Sequence, residues 1–243
     1  MLSRNTWFER LYLAGELLLP YHMVRVRHDI KALVTGCPSP VRLLDVGARK
    51  SHYTIGLAAE VYLLDVYRQT ALQTELGLGA THELLAQCRR RRSNVREYRI
   101  QDFLEADLPN GFFDIVTAVE VIEHVANASR FVEKAFRVLK PAGVLYLTTP
   151  NGATIPNRNP DHVRHYAAGE LETLLLSQFP RVEIKHGEIK TACWRRGMGF
   201  WRPRQPLSMG ASLLANLVNQ LENCWRQPTA VNSARLFATA WKA

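Results

Sequence analysis

Apolar residues along this chain follow two rhythms that alternate. From residue 41 onward, short and nearly continuous apolar runs recur: VRLLDV at 41–46, VYLL at 61–64, FFDIVTAVEVIEHV opened by Gly111, and VLYLT at 144–148, with Asn94 to Ile100 as a further strand. Runs of that length belong to strands buried on both faces, as in a parallel sheet covered by helices. Between them the apolar residues recur at helical spacing. Leu84 and Leu85 lie in a segment from about Thr81 to Arg92, and Phe131, Ala135, Val138 and Leu139 mark residues 128–139. Sustained alternation over residues 41–150 predicts an α/β, doubly wound, mostly parallel sheet.

Upstream, Trp7, Leu11, Ala14 and Leu18 predict a helix over 5–18 that Pro20 ends, and a second helix covers Met23 to Val34 before the Cys37-Pro38-Ser39-Pro40 break. After Asp65, Leu72 and Leu76 predict a short helix ending near Gly77 to Gly79. A further helix runs from Ala168 to Gln178. Another, from about Leu207 to Trp225, carries Leu214, Leu217, Val218, Leu221 and Trp225 on one face.

Composition narrows the class. The chain has 243 residues, 47% of them apolar, which suffices for one sizeable α/β core with short additions, and no run is long or apolar enough to span a bilayer. Arg4, Glu9, Arg10 and Glu16 interrupt what a signal peptide would need as its hydrophobic region. Cys37, Cys88, Cys193 and Cys224 are scattered with no Cys-x-x-Cys pair, which argues against a disulfide framework or a thiolate zinc site and fits a reducing cytoplasm. The net charge of +9 admits nucleic acid, an anionic membrane surface or an acidic substrate as partner. Much of that excess sits in Arg89 to Arg92 at the end of a predicted helix, where the macrodipole favours cations.

Candidate chemistry begins in VRLLDVGARKSHYTIGLAAEVYLLD, residues 41–65, which reads as strand, turn at Gly47, short helix, strand. Gly47 supplies a sharp turn that aims backbone amides at a ligand, and Asp65 stands where a carboxylate can accept both hydrogen bonds of a ribose diol. Arg49 and Ser51 stand where a dinucleotide loop would place further glycines, so a pyrophosphate-binding loop is not expected. At the next strand end, Asp102 can accept from an adenine amino group while Phe103 covers the base. If the chain turns helical directly after the fourth strand, Glu120, Glu123 and His124 share one face. With the later His162, in NPDHVRHY, they form a mixed oxygen and nitrogen set for Mg²⁺ or Mn²⁺.

LLDVGARKSHYT, the Asp65 strand end, QDFLEADLP, FDIVTAVEVIEHV, FRVLKPAGVLYLTTPN and DHVRHYAAGELETLL, in this order and spacing, resemble the successive motifs of class I S-adenosylmethionine-dependent methyltransferases over residues 41–186. The E-x-x-E-H with a distant His is similar to ubiquinone-pathway O-methyltransferases and to metal-using small-RNA 2′-O-methyltransferases. The resemblance implies a Rossmann-like sheet of seven strands with an antiparallel last strand, Arg181 to Ile189 being the sixth and Ala234 to Trp241 the seventh. It divides the chain into an N-terminal helical cap (1–40), a cofactor-binding core (41–190), a helical insertion serving as substrate cover (191–232) and the last strand (233–243).

The resemblance also implies S-adenosyl-L-methionine as cofactor, bound by Asp45, Gly47, Ala48, Asp65, Asp102, Phe103 and Glu120; Arg49 departs from the family's pattern, standing where its second glycine would be, and is expected to pair the methionyl carboxylate, a closed cofactor site being the competing reading. It implies His124 and Glu123 as catalytic residues, and Glu120, Glu123, His124 and His162 as ligands if Mg or Mn is used. The expected acceptor is a hydroxyl or amine of a small molecule or glycan-type compound. An RNA 2′-O-methyltransferase, and an interaction protein that has kept the fold without catalysis, are the alternatives. The insertion, rich in Arg, Trp and Gly at WRRGMGFWRPR, has a dimer surface or a membrane-surface contact as its alternative roles.

Overall fold

The computed structural model describes residues 6–49, 52–68, 74, 79–189, 191 and 206–243. Ser51, Leu72, Leu76 and the stretch from Trp194 to Arg204 lie outside them. The elements in chain order are α1 (Trp7–Ala14), α2 (Tyr21–Gly36), β1 (Val41–Val46), β2 (Ala59–Asp65), α3 (His82–Arg91), β3 (Val95–Ile100), β4 (Phe113–Val119), α4 (Ala128–Val138), β5 (Leu139–Pro150), α5 (Ala168–Leu176), β6 (Arg181–Ile189), α6 (Pro206–Trp225) and β7 (Ser233–Trp241).

Seven strands form one sheet in the order β3-β2-β1-β4-β5-β7-β6. The first five pair in parallel, and β7 runs antiparallel to both β5 and β6. Leu43 pairs with Val61 on one side and Ile115 on the other, and all three are fully buried, as a strand covered on both faces requires. Because side chains alternate across a strand, Leu43 and Leu44 enter different cores. Leu43 joins Val26, Ile30, Ile115 and Phe237 beneath α2, while Leu44 joins Val116, Phe131, Val132 and Leu171 beneath α4 and α5.

Local signals place the helix starts. The Thr6 hydroxyl accepts from the Glu9 amide in a full capping box, the Thr81 hydroxyl from Leu84, and the Asn127 side chain from Arg130. Three elements differ from the sequence reading. The helix expected over 5–18 is split, with α1 ending at Ala14 and a tighter turn at Glu16–Leu18. Between β1 and β2 there is a 3₁₀ turn at His52–Thr54 rather than a helix. Side chains take the carbonyls that a helix would use: Arg27 donates to the Tyr53 and Ile55 oxygens at 3.1 and 2.7 Å, and Asn94 to those of Thr54 and Leu57 at 2.8 and 3.2 Å. Finally, β5 starts at Leu139, and the Pro141 to Gly143 turn becomes an irregularity within it, with Ala142 at φ 59° and a register shift against β4.

Candidate active site

The chain leaves β1 toward β2 and β3, then returns to place β4 on the other side of β1, so the order reverses between β1 and β4. Ligands of open α/β sheets bind at the carboxyl ends of the strands at such a point. Gly47 follows β1 with φ 71°, and a Cβ there would run into the Val121 methyl group of the loop after β4. The Gly47 and Ala48 amides both donate to the Leu64 carbonyl, at 2.9 and 3.1 Å, which ties the turn to the end of β2.

Asp65 closes β2. One carboxylate oxygen accepts from the Arg49 amide at 2.7 Å and the other from the Val66 amide at 2.8 Å. Burial raises its pKa to about 6, against the opposing pull of those two amides. Each oxygen still has a lone pair to offer a ribose hydroxyl. The Arg49 guanidinium has Arg68, Asp65 and Tyr98 as its charged and polar surroundings, and burial followed by Arg68 depresses its pKa. Its Nε is buried without a hydrogen-bond partner. That environment lies at the β2–β3 side of the crevice.

Asp45 is buried within β1 and accepts from the Thr117 hydroxyl of β4 at 2.9 Å. Asp102, exposed past β3, accepts from the Leu104 amide at 2.7 Å in a tight turn. Phe103 corrects the sequence reading: its ring is buried in the core, 4.8 Å from the Phe131 ring and with the Lys134 ammonium 5.5 Å away, so it does not cover an adenine. The apolar gain of that packing outweighs exposure at the crevice rim.

After β4 the backbone does not turn directly into a helix. Glu120 adopts φ 54°, Val121 follows at φ −123°, and Ile122–His124 form a single 3₁₀ turn. This reversal separates Glu120 from the other three candidate ligands. Its carboxylate accepts from the Thr148 hydroxyl at 2.9 Å and pairs with Arg235 of β7 at 3.1 Å. Burial opposes its ionisation, yet Arg235, His22 and Thr148 outweigh that and hold its pKa below the usual carboxylate range. Arg235 also pairs with Glu188, itself at φ 56° at the end of β6, and His22 of α2 lies 3.5 Å from Glu188.

Glu123, His124 and His162 do converge, with one ligand atom from each lying within 4.8 Å of the others. Glu123 is fully buried, accepts from the Thr149 hydroxyl at 3.1 Å, and leaves its other oxygen without a partner. Burial, then the nearby Glu120, raises its pKa well above the ordinary value. The His124 Nδ1 lies 3.0 Å from the Asp161 carboxylate and 2.9 Å from its carbonyl, which leaves Nε2 for the crevice. His162 Nδ1 meets His165 Nε2 at 2.7 Å, and burial together with His124 and His165 lowers the His162 pKa to about 4. The orphaned Glu123 oxygen and two free imidazole nitrogens fit a divalent ion; Glu120 is not among its donors.

Nothing in the chain's local pattern joins His22, Glu188 and Arg235 to this edge, since each lies in a different element and no motif contains them. Asp161 was within reach, because it immediately precedes His162 in the NPDH run.

A model of the methyltransferase domain matches residues 44–147, which include the second half of β1, all of β2, β3 and β4, and most of β5. A probable S-adenosylmethionine-dependent methyltransferase of Mycolicibacterium smegmatis is 38% identical over 105 residues, covering 41% of this chain and 40% of that protein. A ubiquinone biosynthesis O-methyltransferase of Xanthomonas campestris is 33% identical over 136 residues, 54% of this chain and 52% of that one. The chain thus spans about half or less of the curated relatives it matches. Among solved structures, a possible histamine N-methyltransferase from Thermotoga maritima superimposes with a TM-score of 0.57 over 97% of this chain and 98% of that one, at 15% identity, a likeness of fold. Sheet order and family match agree: residues 44–147 are similar to the methyltransferase domain, and the seven-stranded sheet has the Rossmann-like methyltransferase fold.

Proposed function

We propose that this protein transfers the methyl group of S-adenosylmethionine to a hydroxyl of a small-molecule acceptor. The observation that carries the reading is the placing of Asp65 and His124 on one sheet edge, on either side of the β1–β4 reversal. The residues present fit the cofactor: Asp65, at the carboxyl end of β2, keeps acceptor capacity on both oxygens for a ribose diol. When bound, the cofactor supplies a methyl group already activated by its sulfonium.

The protein's own part is alignment and proton removal. Asp65 receives the ribose hydroxyls, and Arg49 borders the nucleoside. His124, oriented by Asp161, takes the acceptor proton on Nε2, and the positive charge that develops is shared with the Asp161 carboxylate. Glu123, His124 and His162 would hold a divalent cation if one is used, which would lower the acceptor hydroxyl's pKa. Glu120 stays with Arg235 and Thr148 and shapes the floor of the crevice.

Calorimetric titration with S-adenosylmethionine and S-adenosylhomocysteine tests the cofactor, with micromolar binding expected and Asp65→Asn weakening it. Acceptor turnover by His124→Gln tests the base: turnover drops by roughly 10²- to 10⁴-fold while cofactor binding is kept. Turnover that persists after exhaustive chelation assigns proton removal to His124 without a metal. Absence of cofactor binding in the wild-type protein would sink the whole reading.

A further inference from the structure

Helix α6 is packed with its faces reversed relative to its composition. The residues it turns inward are polar: Ser212, Asn216, Asn219 and Asn223 are buried, alongside Ala215. Outward it turns Leu214 at 63% exposure, Leu217 at 45%, Leu221 at 54% and Trp225 at 87%. The inward asparagines are all engaged. Asn216 donates to the Leu18 carbonyl at 3.1 Å, Asn219 to the Thr191 hydroxyl at 3.2 Å, and Asn223 accepts from the Ile189 amide at 2.7 Å while donating to Asn219. Rotating the helix to bury its leucines would strand these groups, so the outward apolar stripe is a consequence of the fold. Among the described residues nothing covers it, and Leu18, whose carbonyl meets Asn216, is itself exposed.

We propose that this face seats on an anionic lipid surface, with α6 lying in the plane of the interface. No helix among the described residues is long and apolar enough to cross a membrane, so the contact is peripheral. A helix of 20 residues is about 30 Å long and about 10 Å wide, so its single face offers on the order of 300 Å², well short of the ~800 Å² per partner of a stable dimer. Charge favours an anionic partner. The acids of α1, α6 and the turn between α1 and α2 are withdrawn: Glu9 is buried, Glu16 pairs with Arg27, and Glu222 is half-buried, whereas Arg10 and Arg226 are exposed. Trp225 beside Arg226 places an amphipathic ring and a cation together at the end of the apolar stripe, the combination that anchors helices at headgroup depth.

Flotation of the full chain with two vesicle types tests this, phosphatidylcholine alone and phosphatidylcholine mixed with phosphatidylglycerol. The wild-type protein floats with the mixed vesicles and far less with phosphatidylcholine. The triple variant Leu217→Ser, Leu221→Ser, Trp225→Ser loses flotation by about tenfold or more, since even one such side chain carries over 1.4 kcal/mol of transfer energy. Its circular dichroism and cofactor binding stay those of the wild type, because the substituted residues face outward. Arg10→Glu with Arg226→Glu weakens flotation and leaves the apolar face intact. Three results would each overturn the proposal: no flotation of the wild type with mixed vesicles, flotation that the triple variant retains, or a dimer in velocity sedimentation that the triple variant splits. Cofactor titration of the same preparation keeps this outcome separate from the fate of the enzymatic reading.

Discussion

Asp65 is under two opposing demands. Binding a ribose diol needs the carboxylate, whereas burial disfavours it and sets its pKa to about 6. Cofactor affinity therefore falls as the pH drops through about 6, by up to about tenfold per unit, since one pKa unit is 1.36 kcal/mol. Stability moves the other way. Because the folded pKa lies above the unfolded 3.8, the contribution is fully present below 3.8 and is lost as the pH rises through about 6. Asp65→Asn should abolish this pH dependence of stability, leave one of the two backbone amides without an acceptor, and weaken cofactor binding by about ten- to a hundredfold, the worth of one or two charge-assisted hydrogen bonds. Thermal melts and titration calorimetry read the two effects separately. Gly47 is constrained for a different reason. Gly47→Ala meets both a left-handed backbone and the Val121 methyl, so its cofactor affinity falls, and adding Val121→Ala restores only the part due to the methyl.

Helix α6 shows what an element's pattern conveys and what it omits. Its apolar residues recur at helical spacing, so the helix and its bounds were legible, Leu207 to Trp225 against Pro206–Trp225. Which face turns inward was not, because that depends on carbonyls and amides of residues 18, 19 and 189, which α6 meets only in the folded chain. Asn223→Leu would leave the Ile189 amide buried without an acceptor, at a cost of about 1–3 kcal/mol. Urea denaturation would measure the loss, and hydrogen exchange should show the Ile189 amide losing protection before the rest of β6. A variant as stable as the parent would mean that the apolar gain of leucine offsets the lost bond, and that the inward asparagines do not set the face. The strands were easier to read. β1 and β6 match their predicted bounds, because burial on both faces of β1 and simple alternation along β6 are one-dimensional signals.

Across the whole molecule, four residues drawn from the two ends of the sequence and from its middle meet at the crevice floor. His22 comes from α2, Glu120 from just after β4, Glu188 from β6 and Arg235 from β7, and they form one polar cluster around the Arg235 guanidinium. No local pattern announces such a cluster, since its members lie in separate elements far apart in sequence and meet only through the sheet order. The positions of Gly47 just after β1 and of Asp65 at the end of β2 could be read from the strand pattern; that of Arg235 beside Glu120 could not. Within the cluster, burial and then Arg235 lower the His22 pKa to about 3, so the folded protein keeps this imidazole neutral where the unfolded chain would protonate it. The unfolded state then binds the extra proton between about pH 3 and 6.5, and His22 withdraws stability progressively as the pH falls through that window. His22→Asn should therefore match the parent above pH 6.5 and gain on it as the pH falls toward about 3, by at most about 1.4 kcal/mol per unit. Taking the difference between the two proteins at each pH cancels the opposite trend that Asp65 imposes on both. Urea midpoints measured across this range check the sign; a difference that stays flat would mean that His22 is protonated in the fold and serves Glu188 as a true ion-pair partner.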